Sequence, residues 1–465
     1  MCFFSCGCCL CSYYAFSVLP LLFSPPFALL VSPPFALCAR VRVRGRDMAS
    51  MVWQAMKGGA TEVMQARGFI PRLSLAAKLS YLLLREVYDL LGLIPDLIYY
   101  RLLYDSLPSY EVQPELSRSS SGAAHFYNRC ITAFAKVIGI KRPRATLLRN
   151  LRYGDAKRNL LDVYIPDVPG LAGPLPVVMF IHGGIWASGE KWQTCSMGAY
   201  LADHGVLAVF VQYTLFPQAL APQMAEEVSS ALTWTMKHVE RFGGDPERVY
   251  MMGHSAGAHL SGLVLWERLN RILKYREAND SPPKDLRSRM PHCFLGMAGV
   301  YDIGIHYAYE AKRGVQHLSI MGRAMGGKSG FFSASPALLF GSLRLSTSPQ
   351  KNPSSKDLDQ THHGLDGNPS FWSDLMPPCI MFSSPSEVTV PPENSIAFHK
   401  VLDNLGVKSR AAIYEGIPHL DFIRWDPCWT KPNPFVSVLV EDILSIVTGK
   451  VRVEQFISLG SNYST

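Results

Sequence analysis

The sequence lacks any long run of lysine or arginine, and its positive charges are not interleaved with aromatic residues. A nucleic-acid groove needs such a basic and aromatic surface, so nucleic acid is not expected as a partner. The net charge of +8 leaves room only for weak attraction to anionic membrane surfaces. Because 48% of the 465 residues are hydrophobic, general disorder is not expected. The length suits one large core with extra segments, or at most two or three domains.

The sequence also lacks two C-x2-C pairs at the spacing of a zinc site. Six of its eleven cysteines lie within the first 38 residues, and the other five are scattered singly. Scattered cysteines in a large domain are typical of small buried side chains rather than of a disulfide framework. We therefore expect no metal site and no disulfide scaffold.

Residues 1–47 are apolar, but they lack the basic start of a signal peptide, and prolines interrupt them too often for a membrane-spanning helix. The segment SPPFAL occurs twice, at 24–29 and 32–37. We expect this low-complexity leader to lie outside the fold. It is interpreted as a cleaved or anchoring segment, or as an untranslated one with Met48 or Met51 as the start.

Residues 48–146 include a stripe of leucines and other apolar residues at helical spacing between 72 and 104, with the charged residues largely off that stripe. Charges recur too often there for a membrane span. Two interpretations stay open, namely an amphipathic helix on a bilayer surface and a helix packed on the domain that follows. We expect 48–146 to be a helical, membrane-associating segment.

From residue 147 to residue 465, apolar segments alternate with helical patterns. Several segments are continuous apolar runs, which is typical of strands in a sheet covered on both faces. The alternation predicts an α/β fold with a doubly wound, mostly parallel sheet and helices on both faces. A stretch rich in Ser, Pro and Asn at about 341–374 predicts a surface insertion. The predicted strands are 160–165, 176–182, 207–213, 248–253, 294–300, 379–384 and 411–416, and the main predicted helices are 223–241, 393–404 and 435–447.

Gly253-His254-Ser255-Ala256-Gly257 lies between a predicted strand and a helical pattern, and it matches G-x-S-x-G. In a nucleophile elbow this pattern places the serine on a strained turn, and the flanking glycines let strand and helix approach closely. Taken alone the pattern is weak, because it also fits a tight turn. Ser255 is therefore a candidate nucleophile that needs a base, an orienting acid and oxyanion donors.

The stretch HGGIW at 182–186 follows another predicted strand. A glycine pair in that place lets the backbone turn its N–H groups into a site. We predict that the amides of Gly184 and Ile185, together with that of Ala256, are the oxyanion donors.

The base is predicted to be His419, in the loop after a late strand, because the chain order of this constellation is Ser, then Asp or Glu, then His. His254 and His259 flank the elbow and are interpreted as packing or hydrogen-bonding residues. The acid belongs in the loop after the preceding strand, where Glu387 is the carboxylate. Asp302, which follows the strand before that, stays open as the alternative.

Taken together, these motifs resemble one known family. LRYGDAKRNLLDVYIP, HGGIW, FGGDPERVYMMGHSAGAH, LSIM (318–321) and YEGIPHLDF are similar to stretches of the isoprenylcysteine α-carbonyl methylesterases, which are membrane-associated α/β-hydrolases of the wider carboxylesterase group. The resemblance runs from about Tyr153 to Gly449. It implies an α/β-hydrolase fold with Ser255 as nucleophile and His419 as base, oxyanion glycines at Gly183 and Gly184, and an acid at Glu387.

The acid loop departs from the family pattern. Glu387 stands where the family usually has an aspartate four residues before a proline, and Ser383-Ser384 replaces a His-Gly that is often found ahead of it. The identity of the acid therefore depends on the tertiary structure.

The resemblance implies hydrolysis of the carboxyl methyl ester of a prenylated cysteine, through an acyl-enzyme and without any cofactor. It also implies a lipophilic ester substrate, a membrane surface as partner, and a location at the endoplasmic reticulum or Golgi membrane, with a cytosolic peripheral protein as the alternative. Two other functions stay open. Arylformamidases and general lipid or xenobiotic carboxylesterases share these motifs, and a noncatalytic hydrolase-fold protein could bind prenylated partners.

Overall fold

A computed structural model describes residues 53–65, 74–82, 94–111, 144–277, 289–345, 371–425 and 433–459. The chain divides into two units, Met1–Ser80 and Tyr81–Thr465. The first contains helix α1 over residues 53–65, on which Trp53, Met56 and Met64 are exposed, and most of helix α2 over residues 74–82. The predicted leader 1–47 lies outside the described residues.

The second unit is built on one nine-stranded sheet in the order β1-β2-β3-β5-β4-β6-β7-β8-β9. Only β3 runs antiparallel to its two neighbours, and every other pair is parallel. The strands β4, β5, β7 and β8 are almost wholly buried, as their continuous apolar sequences predict. The bounds are β1 Ser109–Glu111, β2 Ala145–Arg152, β3 Leu160–Pro166, β4 Leu175–Ile181, β5 Leu207–Gln212, β6 Gly244–His254, β7 Cys293–Met297, β8 Cys379–Ser383 and β9 Ser409–Ile413.

Helices cover both faces of this sheet. Val178 and Phe180 of β4 belong to a buried cluster with residues of three helices, Ile94–Ser106, Cys195–Asp203 and Pro434–Val447. Side chains alternate along a strand, so Met179 points to the other face, where its sulfur accepts a hydrogen bond from Thr235 of α5 at 3.4 Å. The helices of this unit are α3 Ile94–Ser106, α4 Cys195–Asp203, α5 Ala221–His238, α6 Ala256–Glu277, α7 Ile303–Arg313, α8 Met321–Ala324, α9 Pro336–Leu345, α10 Phe371–Leu375, α11 Glu393–Asn404, α12 Pro434–Val447 and α13 Val453–Ser458.

The predicted fold class is confirmed, and the predicted strands and helices from 160 onward are present with ends shifted by a few residues. The structure adds β1 and β2, which the sequence pattern did not predict. It also shows that α9 continues to Leu345 and that α10 begins at Phe371, so both ends of the predicted insertion 341–374 are helical. Residues 346–370 of that insertion lie outside the described residues.

Helix α3 packs inside the second unit. Tyr99, Tyr100, Leu102 and Leu103 belong to the same buried cluster as β4, and Tyr104 donates a hydrogen bond to the buried Asp162 of β3 at 2.7 Å. For residues 94–104 the structure therefore supports the second interpretation, namely a helix packed on the domain that follows. Within the described residues, no helix combines the length and apolar character needed to cross a bilayer. The predicted boundaries at 48–146 and 147–465 stay predictions.

Candidate active site

Four loops that carry predicted site residues leave the sheet at one edge. The strands β4, β6, β8 and β9 run parallel, so their carboxyl ends lie together, as at the ligand sites of open α/β sheets. The loop after β4 carries HGGIW, and Ser255 follows β6 directly. Glu387 lies in the loop after β8, and His419 lies in the loop after β9.

Ser255 occupies a strained turn between β6 and α6. Its φ of 54° lies in the left-handed region, which costs a non-glycine residue on the order of 1–3 kcal/mol. Its amide donates to the carbonyl of Met297 on β7 at 2.9 Å, which anchors the turn to the sheet. A Cβ at Gly257 would lie 2.1 Å from the carbonyl oxygen of Ile181, so only glycine lets α6 begin this close to β4. This is the geometry that a nucleophile elbow requires.

The HGGIW loop is strained as well. Gly184, Ile185 and Trp186 have φ values of 118°, 47° and 60°, which is unusual for a β-branched residue such as isoleucine. The carbonyl of Gly184 accepts from the amides of Ala187 and Ser188 at 3.1 and 2.9 Å. Within the described part of the chain, by contrast, nothing accepts from the amides of Gly184 and Ile185.

The free amides of that loop lie beside the elbow. A Cβ added at Gly183 would come within 3.0 Å of the Ser255 Cβ. Ala256 is the first residue of α6, so its amide has no partner inside the helix, and no acceptor for it appears among the described residues. The donors predicted for the oxyanion, on Gly184, Ile185 and Ala256, are thus unpaired N–H groups near the serine.

Two side chains to which the sequence analysis assigned no role hold the ends of the HGGIW loop. Tyr213 stacks on His182 at 4.6 Å between ring centroids and donates its hydroxyl to the His182 carbonyl at 2.9 Å. Arg158 bonds the carbonyls of Tyr213 and Gly189 at 2.8 and 2.7 Å and pairs with Glu190 at 2.8 Å. Sequence reasoning missed both residues, because their roles depend on contacts between segments distant in the chain.

Glu387 and His419 are in direct contact. The Nδ1–H of His419 donates to Glu387 Oε2, and the Glu387 side chain is fully buried. The other carboxylate oxygen, Oε1, accepts from the backbone amides of Thr389 and, at 3.0 Å, Val390. Both oxygens are therefore engaged, which fixes the carboxylate in place.

Asp302, the alternative acid, has another role. It caps the N-terminus of α7, where its Oδ1 accepts from the amide of Ile305 at 3.0 Å. The hydrogen bond to His419 Nδ1 is made by Glu387 instead. The geometry thus favours the glutamate over the aspartate as the partner of the imidazole.

His254 links the elbow to the His419 loop. Its Nε2–H donates to the His419 carbonyl at 2.9 Å, and the two rings lie 4.6 Å apart between centroids. Among the described residues, Ser255 Oγ makes no hydrogen bond with the imidazole of His419, and such bonds are often long before substrate binds. The structure therefore places His419, the predicted base, against His254, the residue that directly precedes Ser255.

The buried histidines around the serine are held neutral. Burial, with a smaller contribution from the electrostatic interaction with His419, holds the pKa of His254 well below its usual range. Burial lowers the pKa of His182 and of His259 to about 4. His259 accepts from the indole of Trp186 at 3.0 Å and donates to the carbonyl of Ala334 at 2.7 Å. His254 and His259 are thus hydrogen-bonded packing residues, as interpreted from the sequence.

Within the described ranges, no group of three His, Cys, Asp or Glu side chains is arranged to hold a metal ion. Cys195, Cys293 and Cys379 are buried free thiols, and burial raises the pKa of each. The expectation that the protein needs no metal stays a prediction.

Comparison with known proteins agrees with this geometry. The BD-FAE family model matches residues 161–329, a range that begins in β3 and includes the HGGIW loop and the elbow. The chain has an α/β-hydrolase fold. The predicted resemblance is also confirmed, since curated relatives of this α/β-hydrolase include plant isoprenylcysteine α-carbonyl methylesterases.

Two of these relatives come from Arabidopsis thaliana. A probable isoprenylcysteine α-carbonyl methylesterase is 28% identical over 301 residues, which are 65% of this chain and 56% of the relative. An isoprenylcysteine α-carbonyl methylesterase is 29% identical over 299 residues, 64% of this chain and 61% of the relative. The chain thus spans about three fifths of the length of the methylesterases that it matches.

Shorter and more distant similarities also occur. Kynurenine formamidase of Salmo salar is 31% identical over 135 residues, 29% of this chain and 44% of that protein. Among solved structures, esterase B from Lactobacillus rhamnosis is 16% identical with a TM-score of 0.49, covering 70% of this chain and 94% of that chain.

Proposed function

We propose that this α/β-hydrolase is a serine carboxylesterase in which Ser255, His419 and Glu387 form the catalytic triad. The observation that carries the proposal is the hydrogen bond from His419 Nδ1 to the buried Glu387 carboxylate, at the same sheet edge as the strained Ser255 turn. A fixed carboxylate on Nδ1 leaves Nε2 of the neutral imidazole as a proton acceptor. That is the chemistry that an unactivated serine hydroxyl needs.

The reaction follows from these positions. Ser255 Oγ attacks the ester carbonyl carbon while His419 Nε2 takes its proton, and the carbonyl oxygen becomes an oxyanion held by the amides of Gly184, Ile185 and Ala256. The imidazolium then gives the proton to the departing methoxide, which leaves as methanol. Water, deprotonated by the same imidazole, hydrolyses the acyl-enzyme and restores the serine.

The proposed substrate is the carboxyl methyl ester of a prenylated cysteine. The names of the plant relatives support this choice, as do the motifs shared with them. An arylformamidase is one competing activity, because the Salmo salar relative is a kynurenine formamidase. A general carboxylesterase is the other, because such enzymes share the same motifs.

The closing test uses the full chain and a fluorophosphonate probe. We expect the probe to label Ser255, and Ser255→Ala to abolish both labelling and hydrolysis of S-farnesylcysteine methyl ester. Comparison of kcat/KM for that ester, 4-nitrophenyl butyrate and N-formylkynurenine decides the substrate class. Preference for the formamide would overturn the substrate proposal, and a folded protein whose Ser255 is not labelled would be the noncatalytic binding protein.

We also propose that the enzyme works at the endoplasmic reticulum or Golgi membrane surface, because a prenylated ester partitions into bilayers. Fractionation of cells that express the full chain checks this proposal. Recovery of the protein with neither membrane fraction would contradict it.

A further inference from the structure

Helix α7 carries a buried acid–base pair that the proposed triad does not use. His306 and Glu310 lie one helical turn apart on the same face, and their side chains are 6% and 12% exposed. The distance from His306 Nε2 to Glu310 Oε1 is 3.6 Å, which is too long for a hydrogen bond. Glu310 Oε1 instead accepts from the hydroxyl of Ser319 at 2.7 Å.

Each member of this pair has a buried polar atom with no partner in the described part of the chain. These atoms are Nδ1 of His306 and Oε2 of Glu310. Buried polar groups in folded proteins are almost always hydrogen-bonded, and these two atoms on neighbouring side chains can accept hydrogen bonds from one ligand. A single ligand with two N–H donors would satisfy both.

The helix that carries the pair contacts a loop of the proposed site. Tyr309, on the same helix, donates its hydroxyl to the carbonyl of Val388 at 2.8 Å, which ties α7 to the loop that carries Glu387. Burial lowers the pKa of His306 to about 3, and the electrostatic interaction with His419 is the next largest cause. His306 is therefore neutral at physiological pH and lies within electrostatic reach of the proposed base.

The pair favours a positively charged ligand. Burial raises the pKa of Glu310 to about 7, and the hydrogen bond from Ser319 and the charge of Arg313 only partly offset this rise. Ser319 belongs to the LSIM stretch, a shared motif that the proposed triad leaves without a role, and here it holds Glu310 in place. A bound ammonium would supply the missing charge and the missing donors.

We propose that His306 and Glu310 form a subsite that binds the α-amino group of an α-amino ester. This inference rests on the proposed esterase function. The α-nitrogen is attached to the carbon next to the ester carbonyl, so a site for it must lie beside the reacting centre. One N–H of the ammonium donates to Glu310 Oε2 and another donates to His306 Nδ1.

The test compares pairs of esters that differ only in the amino group. The first pair is S-farnesylcysteine methyl ester and the methyl ester of S-farnesyl-3-mercaptopropionate, and the second is alanine methyl ester and methyl propionate, which carry no prenyl group. We expect the wild-type protein to prefer the amino ester by about tenfold or more in kcat/KM, as for one charge-assisted hydrogen bond in a buried site. Glu310→Gln, which can still bond Ser319, is expected to reduce that ratio to near one.

Controls separate the subsite from the fold and from the esterase activity. Glu415→Gln removes an exposed carboxylate from the loop that carries His419 and should keep the wild-type ratio. His306→Asn provides a second variant, and fluorophosphonate labelling of Ser255 verifies that each variant is folded. If the wild-type protein hydrolyses both esters of a pair equally well, or if Glu310→Gln lowers kcat/KM equally for both, the subsite proposal is wrong and the esterase proposal stands. A wild-type Ser255 that does not react overturns the esterase proposal and the subsite together.

Discussion

Replacement of Glu387 by glutamine tests the proposed triad most sharply. Oε1 of Glu387 accepts from the amides of Thr389 and Val390, while Oε2 accepts from His419 Nδ1. The glutamine amide has one oxygen and one NH2 group, and the two backbone donors require the oxygen. Its NH2 group is then left facing His419, so Nδ1 must become the acceptor and Nε2 must carry the proton.

The expected magnitude follows from that tautomer. An imidazole protonated on Nε2 cannot take the proton of Ser255, and the neutral amide no longer stabilises the imidazolium. In a serine protease, an aspartate-to-asparagine change that keeps the geometry but imposes the wrong tautomer lowers kcat by about 10⁴. We expect a kcat lower by about 10³–10⁴ in Glu387→Gln, with little change in KM.

Steady-state kinetics on 4-nitrophenyl butyrate and S-farnesylcysteine methyl ester provide the measurement, with circular dichroism as the check on folding. The matched control is Asp302→Asn, since asparagine also caps helices well and should leave kcat within about threefold. A folded Glu387→Gln protein within about tenfold of wild type would refute the role of Glu387. A large loss in Asp302→Asn alone would transfer the role to the aspartate.

Three further predictions concern the loops and the buried pair. Gly257→Ala should destabilise the protein by more than about 3 kcal/mol, or prevent folding, because the added Cβ would lie 2.1 Å from the Ile181 carbonyl oxygen. Chemical denaturation measures this loss, and an unchanged denaturation midpoint would contradict the close approach of α6 to β4. Arg158→Ala should lower kcat by about tenfold or more without loss of the fold, since the HGGIW loop loses the hydrogen bond that Arg158 donates to the Gly189 carbonyl. Full activity of this variant would show that the loop keeps its conformation without Arg158. Glu310 has a folded pKa of about 7, above its ordinary 4.5, so its contribution to stability falls as pH rises from about 4.5 through 7, by on the order of 3 kcal/mol. Glu310→Gln removes this pH dependence. The free energy of unfolding of the variant, minus that of the wild type, should therefore increase between about pH 4.5 and pH 8. A difference that does not change with pH would contradict the raised pKa of Glu310.

Short-range patterns predicted most of the sheet and the order of the site residues. Strands such as β4 and β8 are continuous apolar runs because helices cover both of their faces, so composition alone reveals them. The strand β1 has only three residues, Ser109–Glu111, and β2 reads ATLLRNLR, in which polar residues interrupt the apolar run. Their pairing with each other and with β3 stabilises them more than their own sequences do.

The sequence by itself determined that Ser255, His419 and the Gly183-Gly184 pair each follow a strand, because each of these signals is local in the chain. It left the acid open between Glu387 and Asp302, since both follow strands of the same sheet. Only the tertiary structure decided that Asp302 caps a helix while Glu387 meets His419, 32 residues along the chain. The hydrogen bond between Glu387 and His419 joins segments that are distant in the chain, so it depends on how the two loops are placed in space. The pattern of apolar and polar residues along the chain does not predict that placement.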